Sequence, residues 1–76
     1  MRSKVDQYII DKIREMRISG KLSQEDFSIQ LGFKSNAFVA SIESNRTTKK
    51  YNINHVVKAA KIFDCSLWDI VPQYPI

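Results

Sequence analysis

The side chains of this chain are equipped for hydrogen bonding and charge pairing rather than for making or breaking covalent bonds. No nucleophile sits beside a base, no two carboxylates are paired for acid–base work, and no glycine-rich loop is available to cradle a phosphate. His55 is the only histidine and Cys65 the only cysteine, so neither a His/Cys metal site nor an internal disulfide can be assembled. His55 reads as a surface residue in the first turn of a helix, and Cys65 as a small buried hydrophobe. No catalytic residue, metal or cofactor is expected, and the chain is not expected to be an enzyme.

What the chain does carry is cationic. Its formal net charge is +4 over 76 residues, and the surplus is unevenly spread. Residues 1–22 balance to +3, 23–45 to −2, 46–61 to +5 and 62–76 to −2. Two basic segments flanking a near-neutral centre suit a surface that straddles a phosphate backbone. Arg46, Lys49 and Lys50 are then expected phosphate contacts, with a solvated basic loop as the alternative. Arg2 and Lys4 form either a short arm onto the same backbone or a frayed terminus.

These groups must be positioned by helices. Val5, Ile9, Ile13 and Met16 recur at helical spacing, giving a helix over residues 5–18 that Gly20 closes. Ser23 opens a second, its hydroxyl suited to an orphan amide and Glu25 and Asp26 to the positive end of the dipole. Phe27 and Leu31 form its inner stripe, and it stops near Gly32. Ser35 caps a third helix running to about Glu43, with Val39 and Ile42 inward. The aperiodic stretch Ser44–Thr48 reads as a loop. Asn52 caps a fourth helix carrying Ile53, Val56, Val57, Ala60 and Phe63. Ser66 caps a short fifth with Leu67, Ile70 and Val71, which Pro72 ends. No segment alternates with period two. The expectation is a single all-α domain, a compact five-helix bundle.

Two helices at residues 23–31 and 35–43, each too short to be stable alone and joined by a tight turn at Gly32, make a helix-turn-helix. Phe27, Leu31, Val39 and Ile42 lock their angle and leave the N-terminal outer face of the second free. An α-helix fits the major groove of B-DNA, so small polar residues on that face can reach base edges. Asn36 is the best reader on chemical grounds, because its amide can pair bidentately with adenine. Phe38 either packs on a thymine methyl or turns inward.

The ordered motifs Ile13-Arg14-Glu15-Met16-Arg17, Leu22-Ser23-Gln24-Glu25-Asp26-Phe27, Leu31-Gly32 and Ile42-Glu43, with the closing run Lys58–Ile70, resemble the Xre/Cro-like (lambda-repressor-like) family over roughly residues 9–72. The resemblance implies a five-helix bundle that binds DNA as a dimer and regulates transcription. It places a phosphate anchor on Gln24 and base readers on Ser35, Asn36, Phe38 and Ser41, with Ala37 and Ala40 as further positions. Backbone contacts fall on Asn45, Arg46, Thr47 and Thr48, and Lys34, Lys49 and Lys50 complete the phosphate set. Arg17 and Glu43 take the positions of a structural ion pair. The chain departs from the pattern by one extra residue at Phe33-Lys34, which can rotate the reading face. It also lacks the usual glycine after Glu43, leaving Asn45 as the left-handed substitute.

Trp68 lies off the core face of the last helix. With Tyr74 and Ile76 it suggests a subunit contact in a homodimer on a palindromic operator. The alternative is a C-terminal tail that covers Trp68 within one monomer. The lack of a long apolar run and the single cysteine point to a soluble, cytoplasmic protein without a membrane partner. Two functions compete. One is a sequence-specific regulator of double-stranded DNA, with repression as its expected outcome. The other is an antitoxin- or adaptor-type module that holds a protein partner, motivated by the acid-rich second helix and Trp68. RNA binding ranks third, because the interleaved aromatics of single-strand binders are missing.

Overall fold

Four α-helices and one 3₁₀ turn build the domain in a computed structural model that describes residues 2–76. Helix α1, Lys4–Ser19, starts where the Ser3 hydroxyl accepts from the Asp6 amide at 3.0 Å. Its inward residues are Ile10, Ile13 and Arg17. Ile9 and Met16 flank that stripe, and Val5 is exposed. The expected stripe is thus rotated by about one residue, with Ile10 and Arg17 inward and Val5 outward. Gly20 closes α1 with an ordinary φ of −82°, and it is Lys21 that turns left-handed, at φ 57°.

Helix α2, Gln24–Gln30, is capped by Ser23, whose hydroxyl accepts from the Asp26 amide at 3.0 Å. Gly32 follows with φ +92°, and a Cβ there would lie 2.9 Å from the Lys58 ammonium. That ammonium donates to the Leu31 carbonyl at 3.2 Å, satisfying one of the acceptors left over at the end of α2. Helix α3, Phe38–Glu43, begins three residues later than the sequence suggests. The Ser35 hydroxyl does accept an amide, that of Ala37, but residues 36–37 form a turn, and Ala37 at φ −100° is the true N-cap.

Helix α4, Ile53–Phe63, opens with a full capping box: Asn52 Oδ1 accepts from the His55 amide and His55 Nδ1 from the Asn52 amide. Val56, Ala59 and Ala60 are its buried face, whereas Ile53 and Val57, expected inside, are exposed. Asp64 ends it in the left-handed conformation, with the Cys65 amide donating to Ala60 O at 3.0 Å, a role glycine usually fills. The expected fifth helix is a 3₁₀ turn, Leu67–Asp69, boxed by Ser66 and Asp69. One turn suffices to bury Ile70, and Leu67, expected inside, stays exposed. The core is formed by Ile10, Ile13, Phe27, Val39, Ile42, Val56 and Ile70, with the Phe63 ring 5.3 Å from that of Phe27.

Candidate nucleic-acid interface

The α2–α3 pair is held by more than apolar contact. Ser28, fully buried, donates from Oγ to Gln24 O at 2.9 Å and accepts from the Val39 amide at 3.0 Å. Val39 is the second residue of α3, and the N-cap Ala37 has no side chain to cap with. A serine on the neighbouring helix therefore caps α3 in its place, fixing the helix angle with a directional bond. Ser28→Ala should cost about 1–3 kcal/mol, because it strands a buried amide. Chemical denaturation of the two proteins measures this, and a change within a few tenths would show that the bond carries no weight.

The α1–α3 contact is an ion pair in a nearly dry site. The Arg17 guanidinium donates from Nε and Nη2 to the two Glu43 carboxylate oxygens, each at 2.9 Å, and from Nη1 to Leu22 O at 2.8 Å. The side chains are 10% and 3% exposed. Gln24 Nε2 adds a bond to Glu43 at 3.0 Å, and Arg14 approaches the same oxygen at 3.6 Å. The amide nitrogen expected to anchor a phosphate is therefore turned to Glu43. Nearby, the Tyr51 hydroxyl is buried with no hydrogen-bond partner. Burial first, and the Glu43 charge second, push its pKa well above the ordinary phenol value against the opposing pull of Arg17, so it is neutral.

Ser35, Asn36 and Ala37 are exposed at the entrance to α3, and Ala40 and Ser41 are half-buried. Phe38 is half-buried. Its ring stacks on Phe33 with centroids 3.7 Å apart, and the His55 ring stands edge-on to both. Phe33, in the turn where the resemblance implies one extra residue, supplies the partner ring. Between the two readings of Phe38, the ring packs against Phe33 while staying half-buried.

Burial, and secondarily the Lys58 charge, hold the His55 pKa below the ordinary imidazole value. Its Nδ1 must also stay unprotonated to accept from Asn52. Because the unfolded chain takes up the proton first, near its ordinary value of about 6.5, this group's stability is complete above that pH. It is lost as pH falls through the lower folded value. The melting temperature should decline as pH falls below about 6.5, and His55→Gln, whose amide can keep the capping box, should flatten that part of the profile. Identical pH profiles for the two proteins would remove His55 as a cause.

After α3 the chain runs through an exposed loop in which Asn45, Arg46, Thr48, Lys49 and Lys50 face solvent. Asn45 is not left-handed: the only non-glycine residues with positive φ among those described are Lys21 and Asp64. The missing glycine is unnecessary because Ser44, the C-cap of α3, is extended at ψ 136°. Thr47 is half-buried and its hydroxyl, expected to face a phosphate, is already used, donating to Ser41 O at 2.7 Å. Lys50 pairs with Asp6 at 3.4 Å, whereas Lys34, Arg46 and Lys49 enter no ion pair among the described residues. Burial works against the Asp6 carboxylate, but the Ser3 hydroxyl and Lys50 outweigh it and keep its pKa below the usual value. The Lys49 ammonium lies 5.7 Å from the Phe38 ring centre, so the cation borders the entrance to α3.

Arg2, left open between an arm and a frayed end, is not frayed. Its guanidinium donates to Ile42 O, Ser44 O, Thr47 Oγ1 and Lys49 O at 2.6–3.2 Å. At the far end of the chain, Trp68, Tyr74 and Ile76 are 65%, 78% and 58% exposed, and the tail leaves Trp68 uncovered. They border an open groove that also includes Tyr8 and Lys12. Burial, then the charges of Asp69 and Asp64, raise the pKa of Cys65, so its half-buried side chain is a thiol rather than a reactive thiolate. No group of three or more His, Cys, Asp or Glu among the described residues can hold a metal ion, and no helix is long and apolar enough to cross a membrane.

No family model matches the chain, and no curated protein matches it by sequence. Among solved structures it is similar to the restriction-modification controller protein C.AhdI from Aeromonas hydrophila, with a TM-score of 0.66 and 22% identity over 83% of this chain and 91% of that one. The likeness extends over most of both chains and shows the fold. This chain adopts an all-α fold with a helix-turn-helix at α2 and α3, similar to that of the controller protein, with a 3₁₀ turn in place of the expected fifth helix.

Proposed function

We propose that this chain is a sequence-specific regulator that binds double-stranded DNA, presenting the entrance to α3 to the major groove, as the Xre/Cro-like resemblance implies. The observation that carries the reading is the juxtaposition of two features. Exposed Ser35 and Asn36 sit at the start of a helix locked in place by Ser28, and Arg46 and Lys49, cations outside any ion pair among the described residues, follow its other end. Base edges are read by the first group and phosphates held by the second. That a protein of the same fold is a restriction-modification controller supports a regulatory role. Repression by occupancy needs nothing beyond the bound domain and is the expected outcome.

A second copy is the proposed occupant of the Trp68–Tyr74–Ile76 patch. Closed two-fold dimers are the commonest assemblies, and they set two recognition helices about one DNA turn, ~34 Å, apart on a palindrome. The exposed apolar side chains are of the kind that anchor such contacts.

The test is selection from a random duplex library, followed by titration of the selected site against a scrambled duplex at physiological salt. A palindrome bound about 10³-fold more tightly than scramble supports a dimeric, sequence-specific regulator. Equal, strongly salt-dependent binding to both would leave only a basic surface. A stoichiometric protein partner recovered in place of DNA would favour the antitoxin or adaptor reading.

A further inference from the structure

The segment before α1 grips the loop after α3 across more than forty residues of sequence. Arg2 Nη2 reaches Ile42 O at 2.6 Å, Ser44 O at 3.1 Å and Thr47 Oγ1 at 3.2 Å, while Nε reaches Lys49 O at 2.9 Å. Nη1 lies 3.5 Å from Gln7 Oε1. Ile42 and Ser44 carry carbonyls at the C-terminal end of α3, which lack partners within the helix and favour a cation. Four residues further into α1, Asp6 holds Lys50 at 3.4 Å and is itself oriented by the Ser3 hydroxyl at 2.9 Å. Loop residues 44–50 are therefore pinned at Ser44, Thr47, Lys49 and Lys50, while Arg46 and Thr48 project between the pins.

We propose that Arg2 is a positioning residue of the DNA interface, fastening the end of α3 to the cationic loop so that Arg46, Thr48 and Lys49 are arranged for phosphate before DNA arrives. The role rests on the DNA-binding reading above. Arg2 does not itself touch the duplex, because its donors are directed at acceptors within the protein. Ordering a loop in advance removes an entropy cost that would otherwise fall on binding. The geometry also explains why the residue is arginine. Its donors diverge from one plane to acceptors on both α3 and the loop, which a single ammonium cannot span.

Arg2→Lys and Arg2→Ala separate this role from a direct phosphate contact. Loop order in the free protein is read by ¹⁵N relaxation, and duplex affinity is read as a function of salt. Both variants are expected to lower the backbone order parameters of residues 46–50 from about 0.85 toward 0.6. Both should weaken the selected duplex about tenfold while leaving the slope of log K against log salt unchanged. Three results would overturn the proposal. One is Arg2→Lys binding like the parent while Arg2→Ala flattens the slope by about one phosphate, which would make Arg2 a backbone contact. Another is loop order that does not change in either variant. The third is a parent that binds no duplex. That failure would belong to the functional reading, and the order parameters would still report whether Arg2 clamps the loop.

Discussion

Glu43→Ala is expected to lower the unfolding free energy by about 3–5 kcal/mol, the range for breaking a buried pair by removing one partner. The reason is what stays behind. Arg17 would keep its bond to Leu22 O but lose both carboxylate bonds in a site where its side chain is 10% exposed. Arg17→Ala should be milder. The Glu43 carboxylate would retain the Gln24 amide at 3.0 Å, and the half-exposed Arg14 at 3.6 Å can draw closer. Replacing both, as Arg17→Met with Glu43→Leu, should recover much of the loss, since burying two charges carries a desolvation cost that an apolar pair avoids. Urea unfolding of the four proteins at one pH ranks their stabilities. A domain of this size has only about 4–11 kcal/mol in total, from roughly 0.05–0.15 kcal/mol per residue, so Glu43→Ala should remove a large share of its stability. A double variant no more stable than Glu43→Ala would show that shape, not charge, is what the site requires.

That pair also marks where the sequence is legible. Local signals read well, because the groups involved are three or four residues apart. Ser23, Asn52 and Ser66 cap the elements expected of them, and Gly32 makes the reversal between α2 and α3. Residues whose partners are remote read poorly. Ser28 looks like a polar residue on a short helix, yet it is fully buried because Val39, eleven residues on, needs an acceptor. Arg2 resembles a terminal charge until the fold brings it to Ile42 and Lys49. The late start of α3 has the same origin. The Ser35 hydroxyl catches an amide as a cap would, but Phe38 is drawn into the stack with Phe33, which no periodicity encodes. His55 is the exception that had a usable signal: Asn52 and His55 stand at capping-box spacing, and histidine is simply an uncommon member of that box.

Reversing the charge at Arg46 and Lys49 together is expected to weaken DNA binding by about 10²–10³-fold at physiological salt, on every sequence tested. It should also flatten the salt slope by about two phosphates. The two cations are exposed and outside any ion pair among the described residues, so little folded-state stability should be lost with them. Lys50 is a weaker target, because Asp6 already holds it. Asn36→Ala should behave differently. It removes no charge, so the slope stays, and about 1–3 kcal/mol is lost only against the preferred base pair at one position. Measuring the parent, Arg46→Glu with Lys49→Glu, and Asn36→Ala on selected and scrambled duplexes at several salt concentrations separates the two kinds of contact. If Asn36→Ala weakened both duplexes equally, the turn at residues 35–37 would not be the reading surface. The exposed flank of α3 at Ala40 and Ser41 would then be the next place to look. If the charge reversal left the slope unchanged, the cationic loop would face away from the duplex, and the orientation of the domain on DNA proposed above would be wrong.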